Sequence, residues 1–310
     1  MAIAPAISHR CQFRRFLPVG VWIVFLASVG FSAQSASVSS FQDPADLVRK
    51  AVNNEIRAAA ENAHFLFRGV KTTPQGSTTR IYVEAKDVTA GLVVAYNGKT
   101  LMPGQRRDEE ARVERFINHP EELQKKREQE RENTEHTMRI VRALPDAFVF
   151  EYAGEEPGSE GIGRVGGPLV KLKFQPNPSY QPPSRVEEVL IGMRGYVLLD
   201  AVHYRIASID GTLFKEVGFG WGILGHLDRG GRFLVQQQEV GDNLWEISGM
   251  TLNFTGQILL FKNLSIVSTE IFSDFKQVPS DLTFTQALEL LKKQESSDAG
   301  NSAAGKLAHQ

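Results

Sequence analysis

A run of glycine-punctuated strand segments between Arg194 and Phe272 constrains this chain more than any other feature. It opens with Gly-Tyr-Val-Leu-Leu-Asp at residues 195–200, then Val-His-Tyr-Arg-Ile-Ala-Ser-Ile at 202–209. An Asp210-Gly211 turn precedes residues 213–222, and Gly230-Gly231 leads into 233–240. Gly241-Asp242-Asn243 leads into 244–254, and Thr255-Gly256 into 258–272. Stretches rich in Val, Ile, Phe and Tyr, cut by Asp-Gly or Gly-Gly at hairpin spacing, predict strands joined by tight turns. Six such strands with no helical interval predict up-and-down antiparallel pairing, because parallel neighbours need long crossovers. Phe233, Val235 and Gln237 alternate with Leu234, Gln236 and Gln238, so one face turns polar along that strand.

Composition sets the outer limits. The 310 residues are 42% hydrophobic, enough for one large domain or two small ones with a real core. A formal net charge of -1 gives no nucleic-acid footprint. Arg10, Arg14 and Arg15 precede an apolar segment at 19–31, followed by small residues around Ala33. That order is the pattern of a secretory signal peptide, the alternative being an uncleaved N-terminal membrane anchor. Cleavage after Ala33 takes the formal charge from -1 to -4. The single cysteine, Cys11, lies before the apolar segment. The mature chain then has no disulfide, thiolate nucleophile or Cys-based metal site. A large exported domain without disulfides suits a bacterial periplasm.

The remaining elements follow from local signals. Residues 34–42 read as a disordered leader. Asp43-Pro44 is a good helix start, and Leu47, Val48, Val52, Ile56 and Ala59 form one apolar stripe, predicting a helix to about His64. Residues 65–70 and 78–85 read as a strand pair across a Pro74-Gln75-Gly76 turn, and 91–96 as a third strand closed by Asn97-Gly98. Residues 106–144 hold ten basic and ten acidic residues, with Asn118-His119-Pro120 predicting a break between two helices. Residues 124–137 contain no apolar side chain, the pattern of a solvent-bridging helix held by paired charges. This segment reads as a helical insertion over one face or edge of the sheet. Strands resume at 147–153 and 169–174 around a Gly-rich loop at 154–167, before a stiff Pro-rich loop at 176–183. A short helix at 283–293 and a Ser/Gly/Ala-rich, disordered tail from Glu295 end the chain. The expected division is a signal peptide (1–33), a leader (34–42), one domain (43–294, with 106–144 inserted) and a tail (295–310).

Chemical motifs are sparse. Gly220-Trp221-Gly222-Ile223-Leu224-Gly225 matches the spacing of the dinucleotide fingerprint. The residues that follow read as a turn instead of the helix whose N-terminus would hold a pyrophosphate. Asp200, His203, His226 and Asp228 are the one His/carboxylate grouping close in sequence. Asp200 and His203 read as flanking a tight turn with diverging side chains, an exposed aspartate and a surface histidine. No His-Glu-x-x-His, Gly-x-Ser-x-Gly or P-loop is present. The expectation is therefore no cofactor, no metal and no catalysis. A hydrolase reading needs Asp200, His203 or His226 to converge in a cleft. The aromatic set Phe214, Phe219, Trp221, Phe233, Trp245, Phe254, Phe261 and Phe272 fills the core of a flat sandwich, or lines an ionisable-poor apolar groove on a curved sheet. Phe219, Trp221, Phe233, Trp245 and Phe254 are the groove candidates.

A signal segment, an N-terminal amphipathic helix and a cysteine-free strand meander together resemble the bacterial LolA/LolB-like lipoprotein-localisation superfamily. Residues 195–200 with 202–210 carry the resemblance, and Phe219-Gly220-Trp221-Gly222-Ile223 is similar to a subgroup of secreted bacterial proteins. The resemblance implies an α+β fold: an open antiparallel half-barrel with helices over its concave side. It further implies a periplasmic, non-enzymatic protein that binds a hydrophobic ligand or a lipidated partner, with peripheral membrane contact. The charged 106–144 segment departs from that pattern and supports a second expectation, a cell-envelope scaffold docking a protein partner through the charged helices.

Overall fold

The computed structural model describes residues 43–60, 63–219, 225–258 and 262–307. The leader and signal segment lie outside them. Helix α1 (Pro44–Ala58) starts where the sequence places it: Asp43 Oδ1 accepts the Ala45 N–H at 2.9 Å, and Pro44 occupies the first turn. Helices α2 (Pro103–Asn118) and α3 (Pro120–Ala147) are divided at His119. Pro120 holds His119 in an extended conformation, φ -126° and ψ 81°, and then serves as the first helical residue of α3. Helix α4 (Phe284–Leu307) runs well past Lys293. Its later turns are anchored by Arg106–Glu295 at 2.7 Å and by an Arg68–Asp298 pair, which corrects the expected disordered tail from Glu295.

Among the described residues thirteen strands form one sheet. They are β1 (His64–Thr73), β2 (Gly76–Glu84), β3 (Thr89–Tyr96), β4 (Lys99–Thr100), β5 (Phe148–Pro157), β6 (Pro168–Pro176) and β7 (Met193–Asp200). Then come β8 (Arg205–Leu213), β9 (Val217–Phe219), β10 (Gly225–Leu227), β11 (Arg232–Gly241), β12 (Leu244–Ile258) and β13 (Lys262–Val278). The order is β4-β3-β2-β1-β13-β12-β11-β8-β7-β6-β5, and every neighbour named in this path is antiparallel. The end strands β4 and β5 do not pair with each other, so the sheet stays open. The long β13 pairs with β1 and joins the N-terminal strands to the meander. Register shifts in several ladders mark bulges, which bend strands and raise their twist.

The meander departs from the sequence reading in two places. Asp210-Gly211 is strand and not turn: Gly211 pairs with Gly195 inside the β7–β8 ladder. A Cβ on Gly195 would collide with the Asp210 carbonyl, so the glycine marks a close backbone approach. Gly256 likewise lies inside β12, against the His226 carbonyl. The residues following β8 leave the main path as the β9–β10 hairpin, and β8 pairs directly with β11.

Residues directly opposite in a ladder project to one face. One such line is Val70, Ile271, Gly249, Gln236, Ser208 and Leu198. The other is Lys71, Glu270, Met250, Val235, Ile209, Val197 and Leu172. Leu66, Ile81, Val83 and Leu92 on the first face pack under Val113 of α2 and Phe284, Leu288 and Leu291 of α4. Leu172, Val197, Leu199 and Ile206 on the second pack under Leu47, Val48 and Val52 of α1 and Leu144 of α3. The helices thus sit on opposite faces at opposite ends of the sheet, which corrects the expectation that they all lie over one side. Helix α3 links the two cores. Leu123 near its start touches the α4 core, and Leu144 near its end belongs to the α1 core. Its polar middle passes the β2–β3 turn, where Arg127 meets Asp87 at 3.0 Å and Glu130 accepts the Thr89 N–H at 2.9 Å.

Candidate functional site

The α1 face is covered unevenly. Helix α1 packs on β5 and β8, while β1, β2 and β13 carry an aromatic band on the same face. Phe67 stacks on Tyr82 with ring centroids 5.1 Å apart and on Phe275 at 5.4 Å, and meets Phe272 edge-on at 5.9 Å. All four rings are only half-buried. A Cβ on Gly69 would come within 2.8 Å of the Tyr82 ring and 3.1 Å of Phe272, so its absence lets both rings lie over the strand. The face continues through Met250, Leu252, Val235 and Phe233. Phe233 and Phe254 pack half-buried against the α1 core, bridging the aromatic band to the roofed end.

A charged island interrupts this apolar surface. Glu55 of α1 holds Arg205 of β8 through two hydrogen bonds, 2.9 and 3.0 Å, and accepts the Ile206 N–H at 2.9 Å. Glu84 of β2 accepts the Phe65 N–H at 2.9 Å, and burial pushes its pKa up despite that bond. Glu246 of β12 is pushed up to about 8, first by burial and then by Glu84, with Arg205 opposing and Glu55 adding to the rise. Among the described residues Glu246 has no hydrogen bond or ion pair of its own. The expected scarcity of ionisable groups therefore fails at this end. Helix α1, β2 and β12 bring together three carboxylates that no sequence spacing connects, and β8 adds Arg205.

The five groove candidates separate. Phe233 and Phe254 share the α1 face. Trp245 is 6% exposed and packs with Leu169, Leu198 and Ala207 on the opposite face, beneath the 158–167 loop. That loop is tied down by Gly163 N–H to the Gln237 carbonyl at 2.7 Å. The side chain of Phe219, and Trp221 with the rest of the Gly-x-Gly-x-x-Gly stretch before Gly225, lie outside the described residues. Phe67 and Tyr82 escaped the sequence reading because their strands are far from the meander, and Phe275 because the last strand runs on past Phe272. The register of β13 on β1 assembles them.

Asp200 and His203 converge, contrary to expectation. Asp200 is 0% exposed and accepts the N–H groups of Val202 and His203, each at 2.9 Å. His203 Nδ1 lies 3.2 Å from Asp200 and 2.9 Å from Arg164 Nη2. Arg164 also approaches Glu239 at 3.5 Å, and the His203 carbonyl accepts Asn54 Nδ2 at 2.9 Å. The tight turn bends the two side chains together, and the network clamps the 158–167 loop and α1 to it. No hydroxyl or thiol is hydrogen-bonded to His203 among the described residues. A second convergence joins His226 Nε2 to Asp228 at 3.3 Å, with Glu216 nearby.

A cleft of about 280 Å³ opens between α4 and the β1–β13 pair, bounded by Leu66, Ile81 and Asp298 and by two rings of the aromatic band, Phe67 and Phe275. That is the size of a small metabolite. Among the described residues no helix is long and apolar enough to cross a membrane.

No family model matches the sequence, and no curated protein does. A solved structure of an outer membrane lipoprotein-sorting protein domain from Vibrio parahaemolyticus is similar at 12% identity and a TM-score of 0.26, over 79% of this chain and 99% of that one. So loose a likeness carries no argument.

Proposed function

We propose that the chain is an exported, non-catalytic binding protein whose α1 face takes a hydrophobic ligand, a lipid or the acyl chain of a lipidated protein. The half-buried aromatic band carries this reading. Phe67, Tyr82, Phe272 and Phe275 form the floor, with Phe233 and Phe254 at the roofed end. The four rings form one contiguous apolar band on this sheet face, the kind of patch that marks a binding surface. The cleft beneath α4 is too small for a lipid, so the ligand lies along the open face. The export signal at residues 1–33 supports a periplasmic or otherwise secreted location.

The scaffold reading is less well supported. Arg127 and Glu130 of the charged α3 are engaged with the sheet, and Arg131 is paired with Glu128 and Glu135 within the helix. Titration with a fluorescent long-chain fatty acid separates the two. Saturable binding that Phe272→Glu weakens at least tenfold, with the far-ultraviolet spectrum unchanged, supports the lipid-binding reading. Binding absent from the folded wild-type chain refutes it.

A further inference from the structure

The β9–β10 hairpin carries metal-ligating side chains that the apolar face does not use. Glu216 immediately precedes β9, and Asp228 immediately follows β10. Val217 and Leu227 are paired, so Glu216 and Asp228 stand one step beyond them, across the open end of the hairpin. His226 lies two residues before Asp228 on an extended strand and projects to the same side. One donor atom from each of Glu216, His226 and Asp228 lies within 4.8 Å of the others. His226 Nε2 and Asp228 Oδ1 are already 3.3 Å apart.

Charge and orientation point the same way. Two carboxylates at facing positions repel each other and weaken a hairpin. Among the described residues neither Glu216 nor Asp228 forms an ion pair with a lysine or arginine, and the pairing partner of Asp228 is His226. Asp228 Oδ2 accepts the Thr255 hydroxyl at 2.6 Å, and the Asp228 N–H bonds the Thr255 carbonyl at 2.8 Å. A carboxylate fixed from outside in this way is the usual second-shell support of a ligand. We infer that Glu216, His226 and Asp228 form a binding site for a divalent transition metal of the zinc class. One imidazole nitrogen and two carboxylate oxygens suit zinc and its first-row neighbours, with water filling the remaining positions. Calcium and magnesium prefer all-oxygen sites and gain nothing from His226. The metal would neutralise the facing carboxylates at the open end of a hairpin that β10 already pairs to β12.

Calorimetric titration of the untagged full chain with zinc chloride tests this. The expected result is one saturable site per chain, at least tenfold weaker in His226→Ala and in Glu216→Gln. Zinc should raise the melting temperature of the wild type and not of His226→Ala, and calcium chloride should give no comparable heat. These partly exposed substitutions should leave the circular dichroism spectrum unchanged. Should one variant fail to fold, the other decides. No saturable zinc binding, unchanged affinity in a folded variant, or calcium binding equal to that of zinc would overturn the assignment.

Discussion

The two ends of the α1 face are built from one sheet and finished differently. Under α1, Leu172 and Leu199 are 0% exposed, in a core closed by the helix. Along β1, β2 and β13 the same face presents Phe67, Tyr82, Phe272 and Phe275 half-buried and packed ring against ring. The first end converts apolar side chains into stability, and the second leaves them available. The boundary is the Glu55–Arg205 pair, which joins α1 to β8, with Glu84 and Glu246 beside it.

Substitutions at the boundary and at each end sharpen that contrast. Arg205→Ala should cost the most, about 3–5 kcal/mol, because it strands Glu55 as an unpaired buried charge. Chemical denaturation measures it, and a loss under 1 kcal/mol would mean that the pair is solvated. Leu199→Ala in the roofed core should cost about 2–5 kcal/mol and leave ligand binding intact if the chain stays folded. Glu246→Gln should stabilise the protein. With a pKa pushed up to about 8 in the folded chain, Glu246 favours folding most below the ordinary carboxylate range, and that contribution is lost as pH rises to about 8. Removing the charge should flatten the pH profile and add on the order of 1–3 kcal/mol at pH 8. A variant no more stable than the parent at that pH would show that Glu246 is well hydrated.

Phe272→Ala at the open end should cost only about 1 kcal/mol, since the ring is half-exposed, yet it should lower ligand affinity more than Leu199→Ala does. Equal effects on stability and binding would remove the distinction between the ends. Arg127→Ala should be smallest, under about 1 kcal/mol, as its partner Asp87 is exposed.

Much of the fold was legible because the relevant signals are local. Asp43-Pro44 starts α1, His119-Pro120 divides α2 from α3, and Asn97-Gly98 turns β3 into β4, with both residues at positive φ. Gly211 and Gly256 misled for a physical reason. Glycine serves close backbone approach as readily as turns, and sequence spacing does not separate the two. Asp200 and His203 misled because a tight turn cancels the alternation of a strand. The candidate site was legible only in Phe233 and Phe254 among the groove candidates, and in Phe272 of the wider aromatic set. The aromatic floor depends on the pairing of β13 with β1, a contact between the two ends of the chain. The charged island needs four elements at once.

Photo-crosslinking with a fatty acid that carries a diazirine near its chain end tests the central claim most directly. Peptide mapping should place the label on β1, β2 and β13, at or beside Phe67, Tyr82 and Phe272, and Phe272→Glu should abolish it. Label concentrated around Trp245 or on α4, or spread evenly over the surface, would contradict the account.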